Sequence, residues 1–166
     1  SEFHIVKLFA TLPQYFSDFS SCNRNFTQAA IVENTPTFWC CQCPKCAFMF
    51  SQLSAFLPHS EVVTIFGSDL FDNEGLLDLY RELFGIQGNK PFECVGEAQE
   101  VAAAFELAYR QGDANETAAM QLYIGEVRDT IPDHDAVIDE LLAPSSDHAI
   151  PQTFVDRIDY KSLTRN

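Results

Sequence analysis

Three thiols recur at two-residue gaps in Trp39-Cys40-Cys41-Gln42-Cys43-Pro44-Lys45-Cys46, and a fourth stands upstream in Ser21-Cys22-Asn23-Arg24. A Cys-x-x-Cys-x-x-Cys run lets Cys40, Cys43 and Cys46 converge on one point, and Cys22 can complete the set from a preceding loop. Four thiolates around a tetrahedral ion form a closed structural zinc site, with no coordination position left for a substrate. An iron–sulfur cluster takes the same four ligands, and a group of buried free thiols is the competing reading. Cys41 lies beside Cys40 and is read as a bystander, because Cys40 is the residue that keeps the gaps regular.

Outside this group the reactive side chains are sparse. Cys94 sits in the turn-rich segment Lys90-Pro91-Phe92-Glu93-Cys94-Val95-Gly96, next to Glu93 and near Lys90. That setting can lower a thiol pKa and fit it to abstract a proton; a buried structural cysteine is the alternative. His4, His59, His134 and His148 are scattered without metal-ligand spacing. The glycines form neither a dinucleotide fingerprint nor a phosphate-binding loop, and no Ser-His-Asp signature is present. Taken alone, the chain has no nucleotide cradle.

Composition narrows the partners. Of 166 residues, 24 are Asp or Glu and ten are Lys or Arg, a net charge of −14. Nucleic-acid affinity is driven by phosphate contacts, so this balance argues against DNA or RNA, and against anionic lipid for the same reason. No apolar run approaches the length of a membrane span. Six cysteines raise the possibility of a disulfide framework. Their clustering, and an opening that does not read as a secretory signal, favour a metal site in a reducing compartment instead, so the expected location is cytoplasmic.

The elements that must position these residues read as helices. Ile5, Leu8 and Phe9 stand at helical spacing before Pro13, and Thr11 to Phe38 has little periodicity. Pro44 suits the first position of a helix running through Phe48, Phe50, Leu53 and Leu57 to Pro58, apolar nearly all round and therefore buried. Cys43 and Cys46 then lie at its N-terminus, where the helix dipole favours thiolates. Further helices are expected from Ser60 to Gly67, through Leu76, Tyr80 and Phe84 to Gly85, through Val101 and Phe105 to Gly112, and over 116–128 and 133–142. No alternating strand appears. The chain is mainly α, a small helical domain stapled by a four-cysteine zinc knuckle over residues 1–112. An acidic helical extension follows over 113–166, where Arg128 is the lone basic residue between Asp113 and Ala149. A solvated surface is the plain reading of that acidity.

Several of these motifs resemble a known family. Cys22 with Cys40-x-x-Cys43-x-x-Cys46 is similar to the zinc knuckle of 7-cyano-7-deazaguanine synthases, pyrophosphatase-loop enzymes of α/β fold that activate carboxylates. Ser1-Glu2, Leu8-Phe9-Ala10, Ser21-Cys22-Asn23-Arg24, Cys43-Pro44-Lys45-Cys46-Ala47-Phe48 and Lys90-Pro91-Phe92-Glu93-Cys94-Val95-Gly96-Glu97 look more like the C-terminal part of UDP-N-acetylmuramoyl-L-alanyl-L-glutamate epimerases. The resemblance covers roughly residues 1–110. It implies an ATP- and Mg²⁺-dependent inversion of the terminal L-glutamate of a UDP-linked muramoyl dipeptide, a bacterial peptidoglycan precursor, through an acyl adenylate. By position in the motifs, Asn23, Arg24, Lys45 and Lys90 would contact substrate, and Glu93 or Cys94 would move the proton. The family's pyrophosphatase loop has no counterpart here, so the chain is expected to be a C-terminal fragment that needs the missing N-terminal region for activity. Two alternatives stand beside this reading: another carboxylate-activating enzyme of the deazaguanine-synthase kind, and a non-catalytic zinc-stapled interaction module whose acidic tail docks a basic partner.

Overall fold

The sequence Pro44–Ser54 builds the centre of the molecule, helix α2. Pro44 occupies its first turn, and the residue before a proline is driven to extended backbone; Cys43, at φ −91° and ψ 159°, is the N-cap. Every side chain from Lys45 to Ser54 is buried. Most of the polar groups among them are paired locally or with neighbours, and Gln52 Oε1 is buried without a partner. Ser51 and Ser54 donate back to the carbonyls of Phe48 and Phe50 (2.7 and 2.8 Å), and Gln52 donates to the carbonyl of Glu100 at 3.2 Å.

The computed structural model describes residues 1–26, 38–91, 95–143 and 149–155, and among these there is no strand. Around α2 stand α1 (Glu2–Phe9), α3 (His59–Phe66), α4 (Leu77–Leu83) and α5 (Ala98–Gln111), with α5 making the broadest contact. Helices α6 (Ala118–Leu122), α7 (His134–Leu142) and the short α8 (Gln152–Val155) complete the described elements. The stops expected from sequence hold: α3 and α5 end at Gly67 and Gly112, both left-handed (φ 72° and 85°), and Gly85 follows α4 at φ 71°. Among the described residues no helix is long and apolar enough to cross a membrane.

The core is a continuous run of rings. Phe105 on α5 meets Phe71, Phe84, Tyr80 and Tyr123 at centroid distances of 4.6 to 5.5 Å. Phe71 continues to Phe50, which meets Phe66. Side chains from both sides of residue 112, among them Phe48, Phe105, Met120 and Tyr123, share this core.

Helix α1 forms as expected; it buries Phe3 and Val6, while Ile5 is 66% exposed. A short helix with apolar residues on two sides has two possible seams. Phe3 decides between them by packing against Ala55, Ala103, Ala104 and Ile138. The segment read as one helix over 116–128 is instead α6, a π turn at Tyr123–Val127, then a 3₁₀ turn at Arg128–Thr130. Positions 123 and 128 would diverge by about 140° on an α-helix. The wider π turn brings both to the carboxylate of Glu106.

Glu106 is buried on α5 and accepts from Tyr123 Oη (3.0 Å), Arg128 Nε (2.9 Å) and Arg110 Nε (2.9 Å). Burial pushes its pKa up, but the hydrogen bonds from Arg128, Arg110 and Tyr123 outweigh that and hold it below the usual carboxylate range. One turn and a half earlier, Glu100 accepts from the backbone N–H of Phe3 (3.2 Å) and of Glu97 (2.9 Å), tying α1 to the start of α5. Gly96 leaves room for it: a Cβ there would lie 2.0 Å from Glu100 Oε2 and 2.7 Å from Phe48 Cζ.

Neither neighbour is free to retreat, so Gly96→Ala is expected to cost about 3 kcal/mol in chemical denaturation, as overpacked cores do. Glu106→Gln should cost about 2 to 3 kcal/mol at neutral pH, since the buried Tyr123 hydroxyl and the partly exposed guanidiniums of Arg110 and Arg128 then face an uncharged amide. A carboxylate with a depressed pKa stabilises fully above its unfolded value, and the contribution fades as pH falls through the folded value. Unfolding curves from neutral to acid pH should therefore show a steeper loss of stability in the parent than in Glu106→Gln.

Candidate metal centre

The extended backbone imposed by Pro44 places Cys43 at the mouth of α2, and Cys46 follows within the first turn. Cys40 lies on the approach from Trp39, whose ring stacks on Phe66 at 4.3 Å. Cys22 enters from the other side, just before the 3₁₀ turn Asn23–Phe26. The Sγ atoms of Cys22, Cys40, Cys43 and Cys46 all lie within 4.8 Å of one another, with Cys43–Cys46 at 3.5 Å and Cys40–Cys46 at 3.7 Å. Zinc–thiolate bonds of about 2.3 Å in a tetrahedron put the sulfurs about 3.8 Å apart, so this set of donors could hold a metal ion. No disulfide joins the five described cysteines.

The backbone is arranged for negative sulfur. The N–H of Cys40 donates to Cys22 Sγ at 3.4 Å. The hydrogen bond shared with the Cys46 thiol, helped by backbone N–H groups at Cys46 and Asn23, lowers the Cys43 pKa to about 4. The same hydrogen bond, with burial, pushes Cys46 up. A divalent ion would let all four sulfurs ionise. Cys22, Cys43 and Cys46 are buried and Cys40 is partly exposed.

Cys41 is turned out of the group. Its backbone is left-handed (φ 57°), and its Sγ faces the carbonyls of Phe66 (3.4 Å) and Trp39 (3.7 Å). Burial raises its pKa to about 11. The reversal at Cys41 is what allows Cys40 and Cys43 to face the same point.

The other candidates are placed unevenly. Asn23 and Arg24 are exposed immediately after Cys22, and Arg24 Nη1 donates to Gln42 Oε1 at 3.3 Å, bridging the two halves of the knuckle. Gln42 was not singled out from sequence; its position between Cys40 and Cys43 was the available signal. Lys45 is buried beside the cluster, 3.3 Å from Glu2 and over the ring of Phe48. Lys90 pairs with Glu97 at 3.2 Å. Glu93 and Cys94 lie outside the described residues. Glu100 and Glu106 also went unnoticed; the spacing Glu97-x-x-Glu100, a capping box, was the clue to the first.

Residues 18–138 match the family described as the MurL C-terminal domain. The chain belongs to this family. It is 37% identical over 154 residues to a Micromonospora protein named UDP-N-acetyl-alpha-D-muramoyl-L-alanyl-L-glutamate epimerase, a match covering 93% of this chain and 33% of the relative. A Xanthomonas oryzae pv. oryzae protein of the same name is 35% identical over 95% of this chain and 35% of its own length. One from Salinispora tropica is 37% identical over 78% of this chain and 28% of its own. The chain thus spans about a third of the length of these relatives. No solved structure matches it.

Protein purified without added metal should carry about one zinc per chain by elemental mass spectrometry. Cys46→Ser should lose most of it, and Cys41→Ser should keep it. Equal metal content in both variants would mean that the four-sulfur geometry does not select the ligands.

Proposed function

We propose that this chain is the C-terminal part of an ATP-dependent epimerase that inverts the terminal L-glutamate of UDP-N-acetylmuramoyl-L-alanyl-L-glutamate in peptidoglycan precursor synthesis. What supports the reading is similarity running through 93% and 95% of the chain to proteins named for that activity. Residues 1–112 would carry the metal and the substrate-side groups, and 113–166 an acidic helical extension. The location would be cytoplasmic, and the rest of the full-length enzyme would be needed for turnover.

In this reading Cys22, Cys40, Cys43 and Cys46 hold a structural zinc, which supplies rigidity and no open coordination position. The chemistry is set by the substrate. Beside a carboxylate, an α-carbanion would add a second negative charge; as an acyl adenylate the same carbon bears a neutral acyl group, and its proton becomes removable. ATP and Mg²⁺ would belong to the upstream region. Glu93 or Cys94 would take the proton from one face and return one to the other. Arg24 and Lys90, exposed near the knuckle and near the Lys90–Glu97 turn, would meet the anionic substrate, with Asn23 beside Arg24. Lys45 would reach substrate only if Glu2 were displaced.

The test is the full-length protein with the UDP-linked L-alanyl-L-glutamate, ATP and Mg²⁺, followed by hydrolysis and chiral separation of glutamate. D-Glutamate should appear with AMP and pyrophosphate. Cys94→Ala and Glu93→Gln, assayed separately, should show at least a hundredfold fall in kcat for whichever residue moves the proton. Absence of D-glutamate, with consumption of a 7-carboxy-7-deazaguanine instead, would overturn the assignment.

A further inference from the structure

Helix α1 is apolar on two sides, and among the described residues one of them is covered. Phe3 and Val6 are buried, yet Ile5 is 66% exposed, Leu12 40% and Tyr15 52%, with Leu8 half-buried between them. Ile5 and Leu8 lie one turn apart on α1, and the exposed Leu12 and Tyr15 follow past its end, at the entry and close of the 3₁₀ turn Pro13–Tyr15. From Leu8 to Ser17 there is no charged residue, in a chain carrying −14 overall. Depletion of charge with enrichment in aromatic and aliphatic side chains marks the core of a protein interface. A membrane surface fits poorly, because Lys7 is the one cation along α1. Rings next to these residues run toward the cysteine cluster. Phe16 meets Phe9 at 5.3 Å, Phe9 meets Phe19 at 4.7 Å, and Phe19 meets Trp39 at 5.5 Å.

We propose that the face formed by Ile5, Leu8, Leu12 and Tyr15 is where the remainder of the full-length polypeptide docks. The relatives carry about two-thirds of their length outside the part matched by this chain, and an uncharged apolar face suits a permanent intramolecular interface. Docking there would set the upstream region against the Phe9–Phe19–Trp39 rings, and so against the knuckle that carries Arg24. This inference rests on the reading of the chain as one part of a longer epimerase.

Hydrogen–deuterium exchange followed by mass spectrometry tests it, comparing the full-length protein with the 166-residue chain. Peptides spanning residues 3–16 should exchange at least tenfold more slowly in the full-length protein. The double substitution Ile5→Lys with Leu12→Lys should abolish that difference while leaving exchange in α2 and α5 unchanged. Equal exchange in the two proteins would overturn the proposal. So would a concentration-dependent dimer of the 166-residue chain, abolished by the double substitution, which would assign the face to a second copy. Epimerisation assayed on the same preparation separates the two readings: D-glutamate formed without slower exchange removes the docking face alone, and slower exchange without D-glutamate removes the activity alone.

Discussion

A helix with no solvent-facing side must be enclosed, and α2 is such a helix from Lys45 to Ser54. Its backbone satisfies itself internally, so the requirement falls on side chains and on the two ends. Burying residues such as Phe48, Phe50 and Leu53 gives about 2 to 3 kcal/mol each, and that gain needs neighbours on all sides. Helices α1, α3, α4 and α5 supply them. The N-terminal end of α2 is where the cysteine knuckle sits, and Cys43 and Cys46 belong to both. The helix and the four-sulfur group therefore share residues, and each fixes the position of the other.

Helix α5 performs the complementary task with charge. Glu100 and Glu106 are both buried, and each recruits a different part of the chain. Glu100 fixes the start of α1 through the Phe3 N–H, and it does so only because Gly96 has no side chain. Glu106 gathers Tyr123, Arg128 and Arg110, and Arg110 reaches on to Asp135 of α7 at 2.7 Å. A buried carboxylate surrounded by donors has few alternative partners. These two sites therefore fix how α1, the π turn and α7 are set on the apolar core, which hydrophobic burial alone would not specify.

Much of this was legible in the sequence because it is local. The cysteine spacing, Pro44 at the start of α2, and the glycines at 67, 85 and 112 act within a few residues of themselves. The parts that were not legible depend on distant partners. Which side of α1 turns inward is decided by Phe3 meeting α5 and α7, and the periodicity of Ile5, Leu8 and Phe9 points to the other side. The π turn exists where Tyr123 and Arg128 converge on Glu106, which lies on another helix. The choice of Cys40 over Cys41, by contrast, was legible in the regular two-residue gaps, and the left-handed backbone at Cys41 gives its physical reason by sending that sulfur to the Phe66 carbonyl.

A site closed by four sulfurs constrains where chemistry can occur. No ligand position is left for a substrate, so a metal there can act only through the residues it holds still. Arg24 follows Cys22 by two positions and is bridged to Gln42, which lies inside the Cys40–Cys43 gap. Its guanidinium is thus anchored at both ends by the knuckle, and displacement of a sulfur would move it. Lys45, in the same first turn of α2, is instead turned to Glu2 and to the ring of Phe48. The knuckle consequently presents one cation outward and folds another in, and it is the outward one whose position the sulfurs control.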